Sequence, residues 1–178
     1  MNRSTPSSAP LTDGGRTGRT DRSASTSRNP WATTFLSPVP IAFAVGIAAT
    51  AFLGLLGVAA LASWQAWLTG GLVLMFLMGA LGRLVPAVRA ELIAMVPPRL
   101  PRPELIVAAT GVLETAGAVG LLIPATHHLA ALCLALLLVA VFPANVHAAR
   151  TNSAASPLLP RTIEQLVFVA ACLAVALA

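Results

Sequence analysis

Five apolar runs, each close to the length of a bilayer crossing, constrain this chain more than any single motif does. They cover residues 39–62, 66–85, 105–124, 129–149 and 163–178. Crossing about 30 Å of hydrocarbon takes about 20 residues of helix at 1.5 Å each. The first four runs meet that length, and the fifth is shorter and carries Glu164 and Gln165 at its start. Over 178 residues the chain is 57% hydrophobic and 10% charged, against roughly 45–50% and 25% for soluble domains. A soluble core of this size could not hide so much apolar surface. The reading is an all-α membrane protein, with a helical bundle over residues 36–178. Residues 1–35 are rich in Ser, Thr, Arg, Gly and Pro. They have almost nothing to bury and are expected to form a disordered cytoplasmic tail.

Charge placement supports the same map. All eleven basic residues are arginine, and the net charge is +5. With the N-terminus in the cytoplasm, the tail holds Arg3, Arg16, Arg19, Arg22 and Arg28. The next inner segment holds Arg83, Arg89, Arg99 and Arg102, and the last holds Arg150 and Arg161. The outer turns near 63–65 and 125–128 hold no arginine. This is the asymmetry of a multi-pass protein of the cell (inner) membrane. The basic balance therefore points to the lipid bilayer as partner, and no nucleic-acid partner is expected. Trp64 and Trp67 flank an outer boundary, as interfacial aromatics do. Ala60-Leu61-Ala62 has the form of a signal-peptide cleavage site, but the run before it exceeds the usual 7–15 residue apolar core, so an uncleaved first span is expected.

The connection 86–103 has its own pattern. Val88, Leu92, Met95 and Val96 recur at helical spacing. A short interfacial helix is expected from Pro86 to the stop at Pro97 and Pro98. The stretch PPRLPRP (97–103), with Pro101 inside it, should then run extended as a stiff hinge. Pro103 and Glu104 suit the first turn of the next helix.

Glu114 sits about nine residues, or roughly 14 Å, inside the third span. An ionisable group at that depth should face the bundle interior. Thr110, Glu114, Gly117 and Leu121 share one stripe, with Gly120 beside it, and small residues there allow close helix packing. Asn145 and His147 lie near the inner end of the fourth span. Pro143 should free the Val139 carbonyl nearby. A polar cluster of Glu114, Thr110, Asn145 and His147 is expected, with no arginine at the depth of Glu114. Two readings compete for Glu114. One is a proton relay, quinone hydrogen bond or cation site. The other, which is favoured, is a neutral acid fastening the third helix to Asn145 or the freed carbonyl.

Other chemistry is not indicated. Cys133 and Cys172 are single, with no C-x-x-C. His127 and His128 fall at the outer turn and His147 at the inner end, so neither a bis-histidine haem nor a zinc site is expected. Nucleophilic triads, phosphate loops and dinucleotide fingerprints are absent from the sequence.

The blocks MVPPRLP (95–101), TGVLE (110–114) and FPANVHAAR (142–150) resemble the DoxX family of small bacterial inner-membrane proteins. The likeness covers roughly residues 65–178. It implies a four-helix DoxX-like bundle with one additional N-terminal transmembrane helix. It also implies an accessory membrane subunit, with a membrane or redox protein partner, tied to quinone-dependent oxidoreduction or the oxidative-stress response. A quinone would be the cofactor on that reading. Many DoxX relatives carry a His-Phe pair at the end of the helix before the MVPP block. Here that place reads Gly82-Arg83-Leu84, so no role for that histidine is carried over. No self-contained catalytic constellation is present, so an enzyme is not the favoured reading. Proton-coupled or small-solute transport and a purely structural scaffold stay open as alternatives.

Overall fold

The computed structural model describes residues 37–151 and 158–178. The tail expected over 1–35 lies outside them. Among the described residues there are six α-helices and no strands. They are α1 (Pro38–Leu55), α2 (Trp64–Gly82), α3 (Pro86–Met95), α4 (Pro103–Leu122), α5 (His127–Thr151) and α6 (Leu158–Leu177), with a 3-10 turn at Ala59–Leu61. All but α3 are long and apolar enough to cross a membrane, which makes five candidate spans. The chain is a multi-pass membrane protein by that measure.

Helices α2, α4, α5 and α6 form a closed ring of neighbours, each packed against the next. Their inner faces supply the core: Leu72 and Phe76, Ala118 and Leu121, Leu134, and Cys172 with Val175 are buried together. Helix α1 packs on the outside of α2. Glycines make that approach possible, since a Cβ on Gly46 would lie 2.5 Å from the Gly70 carbonyl oxygen. Close backbone contact of this kind is a common way for helices to associate where lipid removes the hydrophobic drive. Phe43 of α1 also meets Phe168 of α6 edge-on, with centroids 5.3 Å apart. The architecture is a four-helix ring plus one peripheral N-terminal helix.

Several helix ends differ from the boundaries expected from sequence. The first span ends at Leu55, not 62, because Gly57 takes a left-handed φ of 96°. The Gly57 and Val58 amides then turn back to the Gly54 and Leu53 carbonyls at 3.1 and 3.2 Å. This pair of bonds caps a helix at a glycine. The Trp67 indole N–H donates to the Leu61 carbonyl at 2.7 Å and fixes the turn that follows. Helix α2 begins at the Ser63 cap, whose Oγ accepts from the Ala66 amide at 3.2 Å. The last span, expected to be short, is a full 20 residues because it starts at Leu158. Pro160 falls in its first turn, where its missing N–H breaks no helix bond.

The helix α3 stands where the spacing of Val88, Leu92 and Met95 predicts it. The hinge after it is not extended as expected. The Leu100 amide donates to the Pro97 carbonyl at 3.0 Å and closes a turn across Pro98. Arg102 then adopts φ 53°, ψ 61° before Pro103. Pro103 excludes right-handed helix at Arg102, and the abrupt entry into α4 is met by the left-handed region instead. That conformation costs a non-glycine residue roughly 1–2 kcal/mol.

Candidate functional site

Up-and-down connectivity gives the bundle two dissimilar ends. The arginines among the described residues gather at the end where α2 and α5 finish and α3, α4 and α6 begin. His127 and His128 lie at the other end, with Nδ1 atoms 2.7 Å from the Leu121 carbonyl and 3.2 Å from the Ala176 carbonyl.

At the arginine end the central feature is an ion pair between α2 and α4. Arg83 follows the last turn of α2. Its Nη1 donates to Glu114 Oε2 at 2.5 Å and to the Gly79 carbonyl at 2.8 Å, while Nη2 donates to Glu114 Oε1 at 2.8 Å. The guanidinium thus grips both carboxylate oxygens, the two-pronged geometry that makes such pairs strong and specific. The two side chains are only 15% and 13% exposed. Two glycines make the slot. A Cβ on Gly79 would stand 3.2 Å from Glu114 Oε2, and one on Gly111 would stand 2.8 Å from Arg83 Cδ.

This corrects two expectations at once. Glu114 has an arginine at its depth, and its partner lies on α2 rather than on the fourth span. Counting residues from the helix end placed the Arg83 backbone at the boundary. The long side chain, however, carries its charge along the helix axis. Here it runs inward to the acid.

The expected cluster of Glu114, Thr110, Asn145 and His147 divides. Thr110 Oγ1 donates to the Val107 carbonyl in its own helix at 3.0 Å. Asn145 Nδ2 donates to Gln165 Oε1 at 3.1 Å, and Gln165 Nε2 donates to the Leu138 carbonyl at 2.5 Å. This clasp ties α5 to α6 beside Pro143, which lies inside α5. The carbonyl that receives a donor there is Leu138, one residue before the expected Val139. His147 is half-buried, and its carbonyl accepts from Thr151 Oγ1 at 2.8 Å. Gln165 was not among the candidate residues, although an amide in an apolar run was its signal. Gly117 and Gly120 sit where α4 meets α5: a Cβ on Gly117 would collide with Leu134, and one on Gly120 would lie 2.8 Å from the Ala130 Cβ.

Beside the ion pair, a groove of about 1070 Å³ runs along α4 and α5. Its floor is small and apolar, including Ala108, Gly111 and Ala116, and its arginine end is lined by Arg83 and Arg89. Cys133 is exposed on its α5 wall. Among the described residues no group of three or more His, Cys, Asp or Glu side chains could hold a metal ion.

No curated protein and no solved structure matches the chain. A family model does match, and it is not that of DoxX, so the DoxX resemblance is overturned and its quinone cofactor and redox link lose their basis. The blocks that carried it are the prolines of a turn between helices, one proline inside a helix, and small or polar interhelical residues. Helical membrane bundles share those features for packing reasons whatever their ancestry. The match spans residues 72–178, more than half of the length and nearly the whole four-helix ring, with α1 outside it; the chain belongs to the family described as a domain of unknown function (DUF8561).

Proposed function

We propose that the chain is a non-catalytic accessory protein of the cell membrane, one that acts as part of a larger membrane assembly. One observation supports this most: Arg83 with Glu114, and Asn145 with Gln165, are engaged by each other. Both oxygens of Glu114 are held by Arg83, and Asn145 and Gln165 bond to one another and to a helix carbonyl. A proton or solute path needs polar groups free to exchange partners across the bundle. Between the two ends lie Leu72 and Leu134, buried to 1% exposure or less. In this reading the arginine end faces the cytoplasm, because basic residues favour that side.

Tagged full-length chain, purified in mild detergent, is expected to bring down another integral membrane protein in fixed ratio. Reconstituted alone, it is expected to pass protons no faster than empty vesicles carrying a pH-sensitive dye. A proton flux that disappears in Glu114→Gln would overturn the accessory reading in favour of transport. A reporter fused after Arg150 should be cytoplasmic, and one inserted at residues 125–128 external; the reverse result would invert the orientation.

A further inference from the structure

The groove along α4 and α5 is unbalanced in charge. No Asp or Glu lines it among the described residues, while Arg83 and Arg89 stand together at one end. The charge of Arg83 is matched by Glu114. Arg89, exposed on α3, has no ion-pair partner among the described residues. Arg83 also retains a buried Nε–H with no acceptor among them. A guanidinium has five N–H donors and no acceptor, so this end lacks negative oxygen atoms rather than donors.

The rest of the groove makes no polar demand. Thr115 and Thr126 line it, but their hydroxyls already donate to the Gly111 and Gly120 carbonyls at 2.9 Å each. The remaining wall is aliphatic apart from the Cys133 thiol. Cationic need at one end and apolar surface along the length match an amphiphile with an anionic head.

We propose that this groove is a binding site for an anionic phospholipid, one whose head-group phosphate has no cation of its own. The phosphate meets Arg89, and an acyl chain lies along Ala108, Gly111, Val112 and Ala116. The register agrees with bilayer dimensions. One leaflet contributes about half of the roughly 30 Å hydrocarbon layer, which is about ten residues of helix. Ten residues up α4 from Val107 is Gly117, so the chain lies over the small-residue floor. Gly111 keeps that floor low, because any side chain there would strike Arg83. A zwitterionic head group brings its own cation to compete with Arg89 for the phosphate, and free phosphate would leave the apolar wall uncovered.

The test uses the full chain in nanodiscs of equal phosphatidylcholine and phosphatidylglycerol, with retained lipid counted by native mass spectrometry. The natural chain is expected to keep phosphatidylglycerol in preference to phosphatidylcholine. Arg89→Gln should lower that preference about fivefold, the effect of one basic residue near an anionic lipid surface. Arg89→Lys should keep most of it, which separates charge from any damage to α3. Arg99→Gln, in the hinge outside the groove, should change little. Ala116→Trp fills the floor and should release the lipid, while Ala109→Trp, exposed on the same helix but off the groove, should not. Equal retention of both lipids by the natural chain would overturn the proposal. So would equal losses in Arg89→Gln and Arg99→Gln, or retention indifferent to Ala116→Trp.

Discussion

Arg83 and Glu114 tie α2 to α4 with full charges, whereas Asn145 and Gln165 tie α5 to α6 with neutral amides. Both fastenings lie toward the arginine end, and both cross between neighbouring helices of the ring. They differ in what is left behind when one partner goes. A lost amide partner leaves a dipole that can turn to a carbonyl of its own helix. A lost carboxylate leaves a buried cation, which no local rearrangement neutralises. The ring is therefore fastened asymmetrically. One seam fails hard and the other yields, although their side chains are of similar size.

The largest expected effect follows. Glu114→Ala strands the Arg83 guanidinium and should destabilise the bundle by about 3–5 kcal/mol, the range for breaking one side of a buried pair. Unfolding in mixed detergent micelles, followed by circular dichroism, would read it. A loss as small as that of an amide would mean that Arg83 swings out to the membrane surface when freed, and the contrast between the seams would vanish.

Gln165→Ala comes next. It removes a donor to Leu138 and an acceptor for Asn145 together, and should cost about 1–2 kcal/mol by the measure of interhelical hydrogen bonds in membranes. Asn145→Ala removes one of those bonds and leaves Gln165 on Leu138, so about 0.6 kcal/mol is expected. A Gln165→Ala effect matching that of Glu114→Ala would mean that Pro143 makes α5 dependent on the clasp, and the yielding seam would have to be redrawn as a hard one.

The two seams were unequally legible in the sequence. Glu114 could be read as facing inward, because a carboxylate at mid-span has nowhere else to go. Its partner could not be read from helical depth. Depth counted along the backbone puts Arg83 at the boundary, and only the glycines at 79 and 111 let its side chain lie inward. Asn145 was legible as a polar group near a proline. Gln165 stands at the start of the run read from sequence as 163–178, so its depth inside a helix that begins at Leu158 was not legible. The spans themselves were legible because about 20 apolar residues admit few other structures. The early end of α1 was not, since Gly57 is one glycine among several until its φ is known. The three sequence blocks carried real architecture, the prolines and small residues of a bundle, yet gave the wrong family.

The smallest expected change is the most informative. Replacing both partners, as Arg83→Leu with Glu114→Leu, removes the charges together and fills much of the same space. Buried ion pairs exchanged for apolar residues of similar volume are often neutral or slightly stabilising. The double variant should therefore unfold within about 1 kcal/mol of the natural chain, far above Glu114→Ala. That outcome would show that the pair is a matched liability whose halves need each other more than the fold needs both. Function then separates from stability. If the chain serves only as an accessory protein, the double variant should still recover its membrane partner in detergent extracts. If it folds normally but loses that partner, the charges are read by the assembly itself, and the hard seam is a recognition element as well as a fastening. If it fails to fold, the geometry of the two-pronged bond is specifying the ring. The α2–α4 contact would then need its charges in a way that the α5–α6 contact does not.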